Sequence, residues 1–241
     1  MDYESYLELQ KHYPRRVCND YLLPAELKKR LSSGTVSVCH NELALLLFEQ
    51  RKGFKKLHFR LIDESALIPA EEQTIAAFVT YREDHFPKVA SRWLLAQRFE
   101  KTKTLQRFTA SEITGEQSFD GVDFASAEEA IDMLGKYFSE VELDMPILDH
   151  FEGALCIRNR NGEPIGMLYM GQPLVVAVCP ESRGQGLGPR LYRAFALLKS
   201  RKSGKSVFHE WISPGNSSSI AMFSKLGFTP DKVFTDCYVR S

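Results

Sequence analysis

The chain has 241 residues, room for one large domain or two modest ones, and its 44% hydrophobic and 26% charged content is that of an ordinary globular protein. Its 31 basic residues balance 31 acidic ones, which argues against an extended nucleic-acid-binding face, and the short basic clusters around Lys28 and Arg51 read as solvated surface. Cys18, Cys39, Cys156, Cys179 and Cys237 form no close pair, the N-terminus lacks a secretory signal and no apolar run could span a bilayer. A cytoplasmic protein, monomer or homodimer, with no metal, nucleic-acid or membrane partner, is therefore expected.

In chain order, the first fifteen residues suit a helix or a loose arm, and Thr35 to His40 has the β-branched content of a strand. Asn41 to Gln50 reads as a helix, with Asn41 as its cap and Gly53 beyond its end. Leu57 to Leu61 reads as a strand. Ala70 to Arg82 and Val89 to Arg107 read as helices, the first with Glu71 and Glu72 at its positive end. His12, His40, His58 and His85 are isolated and read as structural or surface groups. The soft segment Thr109 to Ser118 is the best linker, giving a smaller mixed α/β domain over residues 1–115 and a second domain over residues 116–241.

Beyond it, Ser126 to Ser139 carries a capping-box pattern and a helical stripe. Ala154 to Arg158 and Pro164 to Met170 form a hairpin about Asn161-Gly162. Leu174 to Cys179 is a continuous apolar run, the composition of a buried strand. Gly184, Gly186 and Gly188 follow, then a helix over Arg190 to Ser200 ending near Arg201, Lys202 and Gly204. Ser206 to Ile212 reads as a strand, Asn216 as the cap of a helix that stops at Gly227, and Val233 to Arg240 as a final strand. This order specifies a layered α/β domain.

Closely spaced glycines ahead of a helix bring unpaired N–H groups and the positive end of the helix dipole to one point, which is a ready phosphate site. Arg183 can add a formal charge; a simple turn is the alternative. The stretch lacks the Lys-Ser/Thr of a P-loop, and its glycine spacing suits a dinucleotide fold poorly.

Two separated segments, Val176 to Gly188 and Asn216 to Phe228, resemble the coenzyme A motif and the late helix of the GCN5-related N-acetyltransferase (GNAT) superfamily. The resemblance implies an acyl-CoA N-acyltransferase-like layered fold with a splayed mixed central sheet. It implies acetyl-CoA as cofactor and a small-molecule or peptide amine as partner. By position, the backbone of Val176, Ala177 and Val178 would pair with the pantetheine arm, and Arg183, Gly184, Gln185, Gly186, Leu187 and Gly188 would embrace the pyrophosphate. Asn216 would lie beside the cofactor arm, and Phe223 takes the place where many relatives keep a tyrosine acid.

Direct transfer to an amine needs proximity, donors at the carbonyl and a base. Candidate proton carriers are Glu210, ranked first, then His209, Tyr169 and Tyr238. Cys179 has no activating neighbour in sequence and reads as a strand residue, not a nucleophile. The missing hydroxyl at Phe223 keeps a second reading open, an inactive coenzyme A-binding regulatory or interaction module. The N-terminal half, lacking a glycine loop, suits a degenerate acetyltransferase-like half.

Overall fold

The computed structural model describes residues 1–14, 17–19, 22–145, 151–171, 174–203 and 207–241. The expected helix-end residue Gly204 and strand residue Ser206 lie outside them. The chain divides into two compact units, one made of residues 1–104 and 233–241, the other of residues 105–232.

Unit 1 contains α1 (Tyr3–Gln10), β1 (Val17–Cys18), α2 (Pro24–Ser32), β2 (Val36–His40), β3 (Ala44–Gln50), β4 (Lys55–Leu61), β5 (Ile75–Arg82) and α3 (Lys88–Ala96). It also holds the start of β6 (Glu100–Ala110) and most of β12 (Thr229–Arg240). Its strand order is β6-β12-β5-β4-β3-β2, with β1 beside β4. One face of this sheet, with Leu46, Phe48, Phe59 and Val79, packs with Trp93 and Leu94 of α3. Leu45 and Leu47 turn the other way, toward Tyr6, Leu27 and Leu31 of α1 and α2.

That two-sided burial explains the first departure from expectation. Asn41 to Gln50 is not a helix: Ala44–Gln50 is strand β3, and its unbroken apolar run fills both faces. The Asn41 side chain accepts from the N–H groups of Leu43 (2.8 Å) and Ala44 (3.0 Å), so it caps a turn into the strand. Ala70 to Arg82 is likewise not helical, since its second half is strand β5, whose Ile75, Ala77 and Val79 join the α3-side core. The helix expected over Val89 to Arg107 ends early. Arg98, at φ 66°, takes the left-handed position that usually falls to glycine, Phe99 N–H donates to Leu94 O at 3.0 Å, and β6 follows.

Unit 2 contains the rest of β6, then β7 (Asp123–Ala125), α4 (Ala127–Leu134), α5 (Glu140–Leu143), β8 (Ala154–Arg158), β9 (Pro164–Tyr169) and β10 (Val175–Val178). A single 3₁₀ turn (Pro180–Ser182), α6 (Leu187–Ser203), β11 (Phe208–Ile212) and α7 (Ser217–Lys225) complete it. β10-β9-β8-β7 form an antiparallel four-stranded sheet, and β11 pairs antiparallel with β6. The Ser126–Glu129 capping box that starts α4 is formed. One face of the four-stranded sheet meets α4 through Cys156, Met167, Tyr169, Val175 and Ala177. The other meets α6 through Leu155, Ile157, Leu168, Leu187 and Leu191. Two arginines of α6 fasten the chain that follows β6: Arg193 Nε donates to Thr114 O at 3.0 Å and Arg190 Nε to Asp120 O at 2.8 Å.

Candidate active site

The candidate site is built in unit 2 around α6. Strands β10 and β11 are each the end strand of their own sheet, and both send side chains into the core beneath α6. Among the described residues β10 pairs with β9 alone, in the register Val176↔Leu168 and Val178↔Gly166, and Cys179 N–H donates to Ile165 O at 2.9 Å. In an antiparallel ladder, residues that bond the partner strand alternate with residues that turn their N–H and C=O outward. Val176 and Val178 are therefore the residues whose backbone turns away from β9. Ala177, expected with them, directs its backbone to β9 and its side chain into the α4-side core.

The edge runs into the 3₁₀ turn and the glycine loop. Arg183 Nε donates to Val178 O at 3.2 Å, so the guanidinium is folded against the same edge. Gly184 (φ 78°) and Gly186 (φ 75°) hold left-handed backbone, and a Cβ at either would meet no atom within 4 Å. The glycines thus answer a backbone requirement, and the space above them is open. Gly188 has a different reason: a Cβ there would lie 2.8 Å from Met222 Sδ, so it lets α6 close on α7. Leu187 and Gly188 begin α6, where N–H groups have no intrahelical acceptor, and Pro189 lacks one.

Asn216 is the N-cap of α7, its side chain accepting from Ser219 N–H at 3.0 Å while the residue stays exposed. Replacement by Ala is expected to cost about 1 kcal/mol, read as a lowered urea midpoint. Phe223 is buried core, its ring 5.2 Å from those of Tyr192 and Phe228. Cys179 Sγ faces Pro164 O at 3.8 Å.

Glu210 and His209 point to opposite sides of β11, as neighbours on a strand must. Glu210 is 3% exposed and accepts a hydrogen bond from Tyr192 of α6. Burial is the main influence on its carboxyl, which is pushed up to about 8 against the opposing pull of Tyr192 and Lys199. Burial also raises the Tyr192 hydroxyl, reinforced by Glu210. His209 is exposed on the side away from α6. Partial burial, then the charges of Arg107 and Lys199, lower its affinity for a proton, while Asp231 opposes them. The shift favours the neutral imidazole, the form able to accept a proton.

The remaining candidates lie elsewhere. Tyr169 is 1% exposed in the α4-side core, stacked on Phe151 at 5.5 Å, and a Cβ on Gly171 would fall 2.2 Å from its ring. Tyr238 belongs to unit 1, where its hydroxyl donates to Ser91 Oγ at 2.8 Å. Sequence reasoning missed Tyr192, the partner that fixes Glu210. Its only signal was an aromatic within the expected helix, which the spacing gave no reason to separate from ordinary core.

Known proteins share this fold. Residues 157–239 match the family model described as FR47-like protein. The fold is that of a Drosophila melanogaster protein of known structure, with a TM-score of 0.65 at 15% identity over 100% of this chain and 97% of that one. A GCN5-related N-acetyltransferase from Kribbella flavida is similar at TM-score 0.54 and 15% identity, covering 89% of this chain and 94% of that one. A tandem GNAT protein from the clavulanic acid biosynthesis pathway is similar at TM-score 0.57 and 12% identity, covering 99% and 94%. No curated protein matches the chain by sequence. The chain has the GCN5-related N-acetyltransferase fold, and its C-terminal third carries the FR47-like pattern.

Proposed function

We propose that residues 116–241 bind acetyl-CoA and transfer its acetyl group to an amino group of a small molecule or peptide in a direct ternary complex. The observation that carries this reading is the continuous run of outward backbone on Val176 and Val178 into the left-handed glycine loop and the start of α6. The edge suits the two amides of a pantetheine arm, and the open loop suits a pyrophosphate. The amides of Gly184 to Gly188 and the guanidinium of Arg183 would hold the phosphates, Arg183 exchanging Val178 O for an anion. Asn216 has its carboxamide oxygen engaged in the cap and its amide nitrogen available to an arm nearby. When bound, the thioester supplies an activated acetyl group.

The chain's own contribution is alignment and proton handling. His209, exposed and shifted toward its neutral form, is the better base for an incoming ammonium. Glu210, sealed beneath α6 on Tyr192, is not placed to meet a substrate directly. The order assigned from sequence is therefore reversed here. Phe223 offers no proton, so departure of the thiolate must draw on solvent or another group. That buried ring is also what favours the second reading, a coenzyme A-binding module without turnover. The N-terminal half is read as a degenerate acetyltransferase-like half, supported by its own parallel strand pair and by the coverage of the tandem protein.

Calorimetric titration with acetyl-CoA tests binding, and thiol release over an amine panel tests turnover. Gly186→Val forces a β-branched residue into φ 75°, a strain of about 1–3 kcal/mol. It is expected to weaken acetyl-CoA binding about 10- to 100-fold and to lower the melting temperature by about 2–12 °C through the backbone strain alone, since the added side chain meets nothing. Unchanged affinity would move the phosphate site elsewhere. Thiol release that survives His209→Gln but not Glu210→Gln would reverse the assignment of the base, and tight binding without release on any amine would favour the module.

A further inference from the structure

Unit 1 contains a strand wedge that the chain has filled with itself. β4 and β5 run parallel but pair over three positions only, Lys55↔Ile75 to Leu57↔Ala77. β3 covers the opposite edge of β4 along its whole length, so from Phe59 onward the second edge of β4 needs another partner. That partner is β1. Val17 pairs with Leu61 and Cys18 with Arg60, and Asn19 N–H donates to Phe59 O at 3.2 Å.

Asn19 then closes the point of the wedge. Its Oδ1 accepts from Phe59 N–H at 2.6 Å, and its Nδ2 donates to Leu57 O at 2.9 Å and to Phe78 O at 3.2 Å. One carboxamide therefore reaches both strands where they part. The residue is 4% exposed.

Among the described residues, the corresponding strand edge in unit 2, on β10, carries no strand beside it. The loops that leave the two edges differ as well. After β10 come an arginine and three glycines, whereas residues 62–74 after β4 hold no glycine and four carboxylates, Asp63, Glu64, Glu71 and Glu72. With no glycine and no basic residue of its own, such a loop offers a pyrophosphate none of the donors of the β10 loop.

We propose that Val17–Asn19 is a built-in occupant of the unit 1 wedge, its peptide groups and one carboxamide taking the hydrogen bonds that an amide-bearing cofactor arm would make. The protein accordingly takes one coenzyme A per chain. This stoichiometry rests on the reading of unit 2 given above; the plug itself does not.

Amide exchange on the full chain tests the plug. In the wild type the Phe59 amide is expected to exchange at least 1,000-fold more slowly than an exposed amide, equally with and without coenzyme A. Asn19→Ala should speed it at least tenfold while amides of β3 keep their protection. Exchange of Phe59 at the exposed rate, or protection there that appears only with coenzyme A, overturns the proposal. Calorimetric titration of the wild type with coenzyme A should give one site, and two sites would overturn it. No binding at all would defeat the unit 2 reading and leave Phe59 exchange to decide the plug. If Asn19→Ala does not fold, the wild-type measurements decide alone.

Discussion

Glu210→Gln is expected to make the protein more stable above pH 7, and to do so increasingly up to pH 8. The folded state holds this carboxyl at about 8 where an exposed one titrates near 4.5, burial being the dominant cause. A raised value means that the folded state binds the proton more tightly. The wild type therefore has its full stability from this group below 4.5 and loses it progressively as pH rises to about 8. At about 1.4 kcal/mol for each unit, the loss across that window is on the order of 5 kcal/mol. Gln keeps an acceptor for the Tyr192 hydroxyl and has no proton to lose. Urea denaturation at pH 5, 6.5 and 8 should show the difference between the two proteins growing with pH, and other titrations cancel in that difference. A constant difference would mean that Glu210 is ionised in the fold. Retained thiol release by the same variant would agree with a buried positioning group.

The second large effect lies in unit 1. Glu49, near-fully buried at the end of β3, pairs with Arg30 of α2, has Arg51 Nη2 at 3.2 Å and His58 Nε2 at 3.2 Å. Burial would raise its carboxyl, but the bond to His58 and the charge of Arg51 prevail and hold it at about 2. Glu49→Ala leaves cations without the carboxylate they share and should destabilise unit 1 by about 3–5 kcal/mol. The sign in pH is opposite to that of Glu210. The stability due to Glu49 is complete above 4.5 and is lost as pH falls through about 2, so the wild type and Glu49→Ala should converge in strong acid. A fall below about 1 kcal/mol at pH 7 would show that the cluster is solvated.

How much of the fold and site is legible in sequence depends on whether a residue's reason is local. The glycine loop, the Ser126–Glu129 box, the Asn161-Gly162 turn and the Asn216 cap each act on their own neighbours, and all appear in sequence as spacing. The strand β3 does not, because its unbroken apolar run comes from burial on both faces, a tertiary fact that a local pattern reads as a helix. Ile75–Arg82 departs from its helical pattern for a related reason, since its strand state is imposed by β4 and β12 on either side. Within the site, Val176, Val178 and the loop follow from position alone. That Ala177 turns to β9, or that Tyr192 covers Glu210, depends on register and on packing across elements, neither of which a single sequence displays.

The chain's division between its units bears on how it is made. Residues 233–241 supply a strand between β5 and β6 of unit 1, although they follow the whole of unit 2 in the chain. The first hundred residues therefore leave the ribosome with a gap in their sheet, and the edges on either side of that gap stay open until residues 233–240 have been made. A chain cut short near residue 232 would keep the whole glycine loop and still leave its N-terminal unit incomplete. A truncation at that point should thus act on the unit farthest from it in sequence.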